Sequence, residues 1–530
     1  MISRPQITIL FGIIIISSII IFTTSEKKDT PFTRETHNLL PVHTTETYAL
    51  SSNQQIKLQA TPVAGSLNNN LIRLYSFNTQ IPGPLLKVTQ GDTITVDFTN
   101  NLDQETTVHW HGLRLENKND GVPHLTQDPV RPGETFQYTL TFPDPGVYWY
   151  HPHVREDYQQ ELGLYGNIFV TPKQRDYFNP VDHEAFLFID DILLEHGDIF
   201  PYSAERITQT LMGRFGNTYL INGQPNYTFP ATQGDIIRFY LTNAANTRIF
   251  NLSIPSTPLK LVGSDGGSYE YERFVDSLII APSERYIIEF SFETPGTYMF
   301  THTTPFGTTP LGTIIISENI SPSSPTDFTI LHENRYVQED INAYRAYFDK
   351  PIDAEFRLSV DVTGMMQHMN TMPCHQMPDG SWMGDCGEKE TTTRLQHVEN
   401  IEWEDTMPMM NLPSTDETVK WLIIDARTGK QNMDIQSSWK KGDKVKIRLF
   451  NDPQSAHPMQ HPIHFHGQRF LVLAENGVQN TNLVWKDTVL VPVGTTVDIL
   501  LDASNPGTWM AHCHIAEHLH SGMMTTFTVT

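Results

Sequence analysis

PGTWMAHCHIAEHLHSGMM, residues 506–524, opens on a Pro-Gly turn, runs into a short aromatic strand and ends in a knot of metal-ligating side chains. Its opening has two counterparts upstream, Pro145-Gly146 with VYWYHPH and Pro295-Gly296 with TYMFTHT. Each is preceded by a Gly-Asp pair that starts an alternating apolar run: Gly91-Asp92 with TITVDFTN, Gly234-Asp235 with IIRFYLTN, Gly442-Asp443 with KVKIRLFND. One unit is therefore present three times. Period-two alternation, Pro, Gly and Asn punctuation and the absence of long helical stripes predict antiparallel β-sandwiches. The expected fold class is all-β, three Greek-key sandwiches in tandem.

The units fall at about 45–172, 179–317 and 325–530. The third is lengthened by an insert at about 361–399, where MMQHMNTMPCHQMPDGSWMGDC breaks the strand pattern. A chain of 530 residues suits several cores rather than one. With 38% hydrophobic residues it can fill them. The net charge of -24 argues against a nucleic-acid partner and against binding anionic membranes by charge.

The second half of the opening stretch carries the chemistry. Cys513, His518 and Met523 offer a thiolate, an imidazole and a thioether, a compromise set suited to copper cycling between Cu(I) and Cu(II). Alternate strand residues face opposite ways, so His512 and His514 cannot share the side of Cys513 and must serve a second centre behind it. Three His beside a Cys also suit a zinc site or a surface cluster, and the upstream motifs decide against that. HWHG places His109 and His111 on one strand face, YHPH does the same for His151 and His153, and HPIHFHG adds His461, His464 and His466. The second unit keeps only His302 at matching positions, as a spacer domain would.

These four motifs, in this order, resemble the multicopper oxidases, specifically the three-domain kind that includes laccases, bacterial cuprous oxidases and spore-coat-type oxidases. The resemblance covers nearly everything from about residue 70 onward except the insert. It implies three cupredoxin-like domains and four copper ions: a blue ion on His461, Cys513 and His518 with axial Met523, a type 2 ion on His109 and His464, and a coupled pair. One ion of the pair would take His111, His151 and His514, the other His153, His466 and His512. It also implies dioxygen as electron acceptor, reduced to water, and Asp120 as a carboxylate that relays protons beside the cluster. Leu519 stands where bacterial members often carry an acid, Pro152 where Ser is common, and His520 is expected at the surface.

The electron donor is the open question. His457 and Met459 lie at the offsets where cuprous oxidases bind Cu(I), with His in place of the acid, so the pair is expected to form a docking site. The insert holds Met365, Met366, His368, Met369, Met372, His375, Met377 and Met383 among polar residues and Pro, which suits copper capture better than core packing. Cu(I) is the expected donor, small phenols or aromatic amines the alternative, and a non-enzymatic copper store the third reading. Cys374 and Cys386 could form a disulfide, remain free or bind a soft metal. Residues 1–25, with an uncharged run from Pro5 to Ser25, read as an export signal kept as a membrane anchor or cleaved, followed by a polar tether over 26–44. The oligomeric state is not legible in the sequence.

Overall fold

The computed structural model describes residues 36, 38–320, 328–370, 375–376, 382–383 and 400–530. Among these residues the chain is built from β-strands in three successive units, each with two packed sheets. The large sheets hold five, six and seven strands, and each faces a five-stranded partner. Each unit closes over its own apolar core, typified by Leu58, Val96 and Leu140 in the first, Leu241, Phe250 and Ile288 in the second, and Ile447, Ile499 and Trp509 in the third.

The repeated Gly-Asp pair has one structural cause. Gly91, Gly234 and Gly442 all adopt a left-handed backbone, at φ +88°, +83° and +98°. The Asp that follows each accepts the backbone N–H three residues upstream, from Thr89, Thr232 and Lys440 at 2.9, 2.7 and 2.9 Å. The same Asx turn thus launches the same strand three times.

The sandwiches are mixed, not purely antiparallel as the alternation suggested. In the first unit Gln55–Ala60 runs parallel to Thr95–Asn100, and the same parallel pairing joins His183–Ile189 to Ile237–Asn243 and Ala354–Leu358 to Ile447–Asn451. Alternation reports which face a residue takes and carries no information on strand direction. The tether reading also changes at its end, because Leu40 and Pro41 already pair with Val63 and Ala64 in the first sheet.

The insert begins as a helix, Thr363–Asn370, in which Met365 is buried in the third core and Met366 is 51% exposed. The Cys374–Cys386 alternatives and most of the capture loop lie outside the described residues, as does the segment 1–25. No helix among the described residues is long and apolar enough to cross a membrane.

Two strand pairs position the site. His109–His111 lies antiparallel to Gly146–His151, bringing His109 opposite His151. In the third unit His461–Phe465 lies beside Gly507–Cys513, with Ile463 opposite Cys513 and His464 opposite His512. A loop of the second unit around residues 207–216 leaves its own domain and places Leu211, Met212 and Phe215 in the third core.

Candidate metal centre

On strand Gly507–Cys513 and just beyond it, three successive side chains part company. Cys513 joins His461 and His518, His512 joins His153 and His466, and His514 joins His111 and His151. Further sets are formed by His109, His111 and His464 and by His109, Asp120 and His466; within each set the ligand atoms lie within 4.8 Å of one another. Eight imidazoles, four from the first unit and four from the third, therefore share one buried space. Neither unit could build it alone.

The hydrogen bonds around these rings say which nitrogen points inward. Nδ1–H of His109, His151, His464 and His512 donates to a backbone carbonyl, of Asp120, Pro152, Asp487 and Cys513 at 2.7 to 2.9 Å. Nδ1 of His153 meets the Glu156 carboxylate at 2.8 Å and Nδ1 of His466 meets Asp120 Oδ2 at 3.0 Å. His111 alone is reversed: its Nε2 faces Asp487 Oδ1 at 3.0 Å and its Nδ1 is free. The inward atoms, Nε2 of His109, His151, His153, His464 and His514 and Nδ1 of His111, are buried without a hydrogen-bond partner. Nε2 of His466 and of His512 face each other at 2.9 Å while both rings donate from Nδ1. Buried polar atoms are normally paired, and two lone pairs so placed repel each other unless a cation lies by them. The residues present thus fit copper ions.

Burial supports the same chemistry. It holds His111, His151, His466, His512 and His514 well below the usual imidazole range, reinforced by neighbouring imidazoles, so these rings are neutral and keep a lone pair. His153 differs: burial pulls it down, but the carboxylates of Glu156 and, less strongly, Asp120 together with hydrogen bonding leave it raised. At the single-ion site, burial lowers His461 to about 3 and pushes the Cys513 thiol up, so a thiolate there needs a cation to stabilise it. Cys513 Sγ lies 3.6 Å from His461 Nδ1 and 4.0 Å from His518 Nδ1. Met523 is buried and its carbonyl accepts from Cys513 N–H at 3.0 Å. Trp421 stacks on the His518 ring at 3.9 Å and stands edge-on to His461 at 5.0 Å.

Asp120 lies against both His109 and His466, as expected of a carboxylate beside the cluster. The expected docking pair is placed differently. Met459 has no exposed area and lies within the third core, and His457 is only 7% exposed. The thioether that meets His457 is not that of Met459, which corrects the reading of Met459 as its partner in a docking pair. His457 instead faces the Sδ of Met212, in the second unit, at 3.0 Å. His520 is half-buried rather than a surface residue, and accepts the backbone N–H of Glu156 at 3.2 Å. Leu519 packs against Val122 and Met510, in apolar surroundings unsuited to the acid it replaces.

Sequence reasoning missed Glu156, Asp487, Met212, Trp421 and Glu517. Glu517, adjoining His518, is fully buried and raised to about 8 by burial and by nearby Asp157, with Asn246 and Thr247 donating to it. Glu517 sits inside its motif and Glu156 just past YHPH, and both could have been flagged by their charge; nothing local marks the others.

Models described as multicopper oxidase match residues 60–175, 190–320 and 388–530. The chain belongs to the multicopper oxidases. This multicopper oxidase is 26% identical to the multicopper oxidase MmcO of Mycobacterium tuberculosis, over 88% of this chain and 84% of that protein. It is 24% identical to copper resistance protein A of Escherichia coli (84% and 88% covered) and 25% identical to Laccase-1 of Cryptococcus neoformans (86% and 77% covered). The crystal structure of the multi-copper oxidase from Pseudomonas thermotolerans matches 92% of this chain and 100% of its own, with a TM-score of 0.65 and 25% identity. The multicopper oxidase is accordingly an oxidoreductase that uses copper.

Proposed function

We propose that this multicopper oxidase couples one-electron oxidation of Cu(I), its donor substrate, to reduction of dioxygen to water, using four resident copper ions in an exported compartment. In this reading His461, Cys513 and His518, with Met523 axial, hold the blue ion. His109 and His464 hold the type 2 ion, and the triads His111, His151, His514 and His153, His466, His512 hold the coupled pair. Copper bound there would supply the redox chemistry, taking electrons singly from the donor and giving four to dioxygen.

The protein's part is to place and insulate. Cys513 lies between His512 and His514 in sequence, so its backbone and side chain connect the donor side to both halves of the cluster by a few covalent bonds. Asp120 accepts His466 Nδ1–H at Oδ2 and sets Oδ1 3.4 Å from His109 Nδ1, so its carboxylate lies against both rings, where it would relay protons. Asp120→Asn should lower oxygen turnover, and full turnover at every pH would remove the relay role.

The observation that carries the choice of donor is the contact between His457 and Met212. Burial lowers His457 to about 4, so its ring is neutral, and an imidazole nitrogen facing a thioether is a soft pair suited to Cu(I). Trp421 lies edge-on to both His457 and His461, which puts the pair next to the blue site. His461 is only 1% exposed and Met212 not at all, so a donor must pass between packed side chains, which a metal ion does more readily than a phenol ring. Oxygen uptake by the copper-loaded protein, compared for Cu(I) and a simple methoxyphenol, tests the choice. The expected result is a preference for Cu(I) that Met212→Leu weakens; efficient phenol turnover without added copper, unchanged by Met212→Leu, would make the enzyme laccase-like. Mass spectrometry of the mature N-terminus would show whether residues 1–25 are retained as an anchor.

A further inference from the structure

We infer that the second domain, which carries none of the copper ligands assigned above, reaches into the cluster through Arg285, a positioning residue that fixes which nitrogen of His111 and of His464 faces the metal. The inference rests on the ligand assignment proposed above and adds a residue outside it.

Arg285 begins strand Arg285–Ser291 and has no exposed area. Its guanidinium touches all three domains. Nε donates to Val147 O at 2.9 Å, on the first-domain strand that ends at His151, and Nη1 donates to Ser283 O at 2.9 Å in its own domain. Both Nη atoms grip the carboxylate of Asp487 in the third domain, Nη1 to Oδ1 at 2.8 Å and Nη2 to Oδ2. Two such bonds hold a carboxylate in one plane, where a single contact would let it turn.

Held this way, Asp487 accepts Nε2–H of His111 at Oδ1 and Nδ1–H of His464 at its backbone carbonyl. Thr488 Oγ1 lies 3.1 and 3.2 Å from the same two nitrogens and 3.1 Å from Ser283 Oγ of the second domain. A neutral imidazole has one donor and one acceptor nitrogen, so committing the first fixes the second. His111 is left with Nδ1 as its lone pair and His464 with Nε2, and the two rings stack at 3.7 Å. The other seven cluster imidazoles turn Nε2 inward, so His111 is the one ring that needs a carboxylate to hold it reversed.

Gly112 of HWHG adds an independent observation. Its backbone is left-handed at φ +82°, and a Cβ there would lie 2.3 Å from Asp487 Oδ2 and 3.0 Å from Arg285 Nη2. The glycine after His111 makes room for the Arg285–Asp487 pair.

The test compares copper-loaded full-length protein with Arg285→Met and Arg285→Lys, following blue absorbance, the type 2 electron paramagnetic resonance signal and copper content during titration with a chelator. Arg285→Met should give up the copper held by His111 and His464, one ion of the coupled pair and the type 2 ion, to chelator roughly 10- to 100-fold more readily while its blue absorbance persists, since partners that orient metal ligands contribute affinity on that scale. Arg285→Lys keeps the charge without the fork and should fall between. Type 2 and coupled-pair copper held as tightly as in the parent overturns the inference, and so does loss of blue and cluster copper in constant proportion, the sign that Arg285 only fastens the domains together. If Arg285→Met does not fold, Arg285→Lys and Thr488→Val decide: selective loss of cluster copper over blue copper sustains the inference, and unchanged cluster copper overturns it. A parent protein that takes up no type 2 copper fails the ligand assignment itself, which is a separate result.

Discussion

Replacing Trp421 by Ala should both weaken the third domain and open the blue site. Trp421 has no exposed area, stacks on His518, and donates from Nε1 to Thr210 O at 2.7 Å, tying the third domain to the loop that carries Met212. Removing a buried Trp side chain leaves a cavity and loses about 3–5 kcal/mol. Stranding the Thr210 carbonyl adds about 1–3 kcal/mol where water does not enter. With partial relaxation the sum is about 4–6 kcal/mol, and for a urea dependence of about 3 kcal/mol per M the midpoint should fall by about 1–2 M. The assay is urea unfolding of the copper-free protein by far-ultraviolet circular dichroism, so that lost ligation is not counted, with Trp421→Phe as the milder control. On copper loading, the Ala variant should oxidise the methoxyphenol faster than the parent, because the faces of His518 and His461 are uncovered. A midpoint shift below about 0.3 M, with phenol turnover unchanged, would refute the reasoning, since that is within the spread of a neutral surface change.

The second group of predictions concerns other parts of the molecule. Gly112→Ala must adopt a left-handed backbone and push on Asp487, so it should lower stability by at least about 2 kcal/mol and release type 2 copper before blue copper; normal stability with unaltered copper release would contradict the crowding at that residue. Burial pushes the Glu272 carboxyl up to about 7, so the folded second domain binds this proton more tightly than the unfolded chain does. Its stability should therefore fall as pH rises from the usual Glu value to about 7, and Glu272→Gln should remove that slope, raising stability near pH 8 by up to about 3 kcal/mol and changing little near pH 4. Equal effects at the two pH values would show that Glu272 does not hold its proton in the fold. Because the clustered imidazoles come from the first and third domains, stripping copper should lower the thermal midpoint, and calorimetry of copper-free protein should resolve earlier, less cooperative melting; identical traces with and without copper would mean that the ions do not link the domains.

Much of this architecture is local and so readable in the chain itself. The Gly-Asp and Pro-Gly turns, the period-two runs and the spacing of His109 with His111, His151 with His153, and His464 with His466 are properties of short stretches. Strand geometry alone sends Cys513 one way and its two neighbours the other. The direction of pairing was not legible, because the parallel partner of Gln55–Ala60 lies some forty residues away and alternation is blind to direction.

Donor types, the number of sandwich units and which imidazoles share a strand face all follow from short stretches of chain. Which nitrogen each ring presents is settled on folding, because tautomers are set by partners distant in sequence. His111 is turned by Asp487, 376 residues away, and Asp487 is gripped by Arg285 from the second domain. The same holds for Met212, which meets His457 across 245 residues although Met459 stands only two residues from it. Local spacing fixes the face a side chain takes; whether that face is open, buried or met by another domain depends on packing between segments that carry no mark of one another.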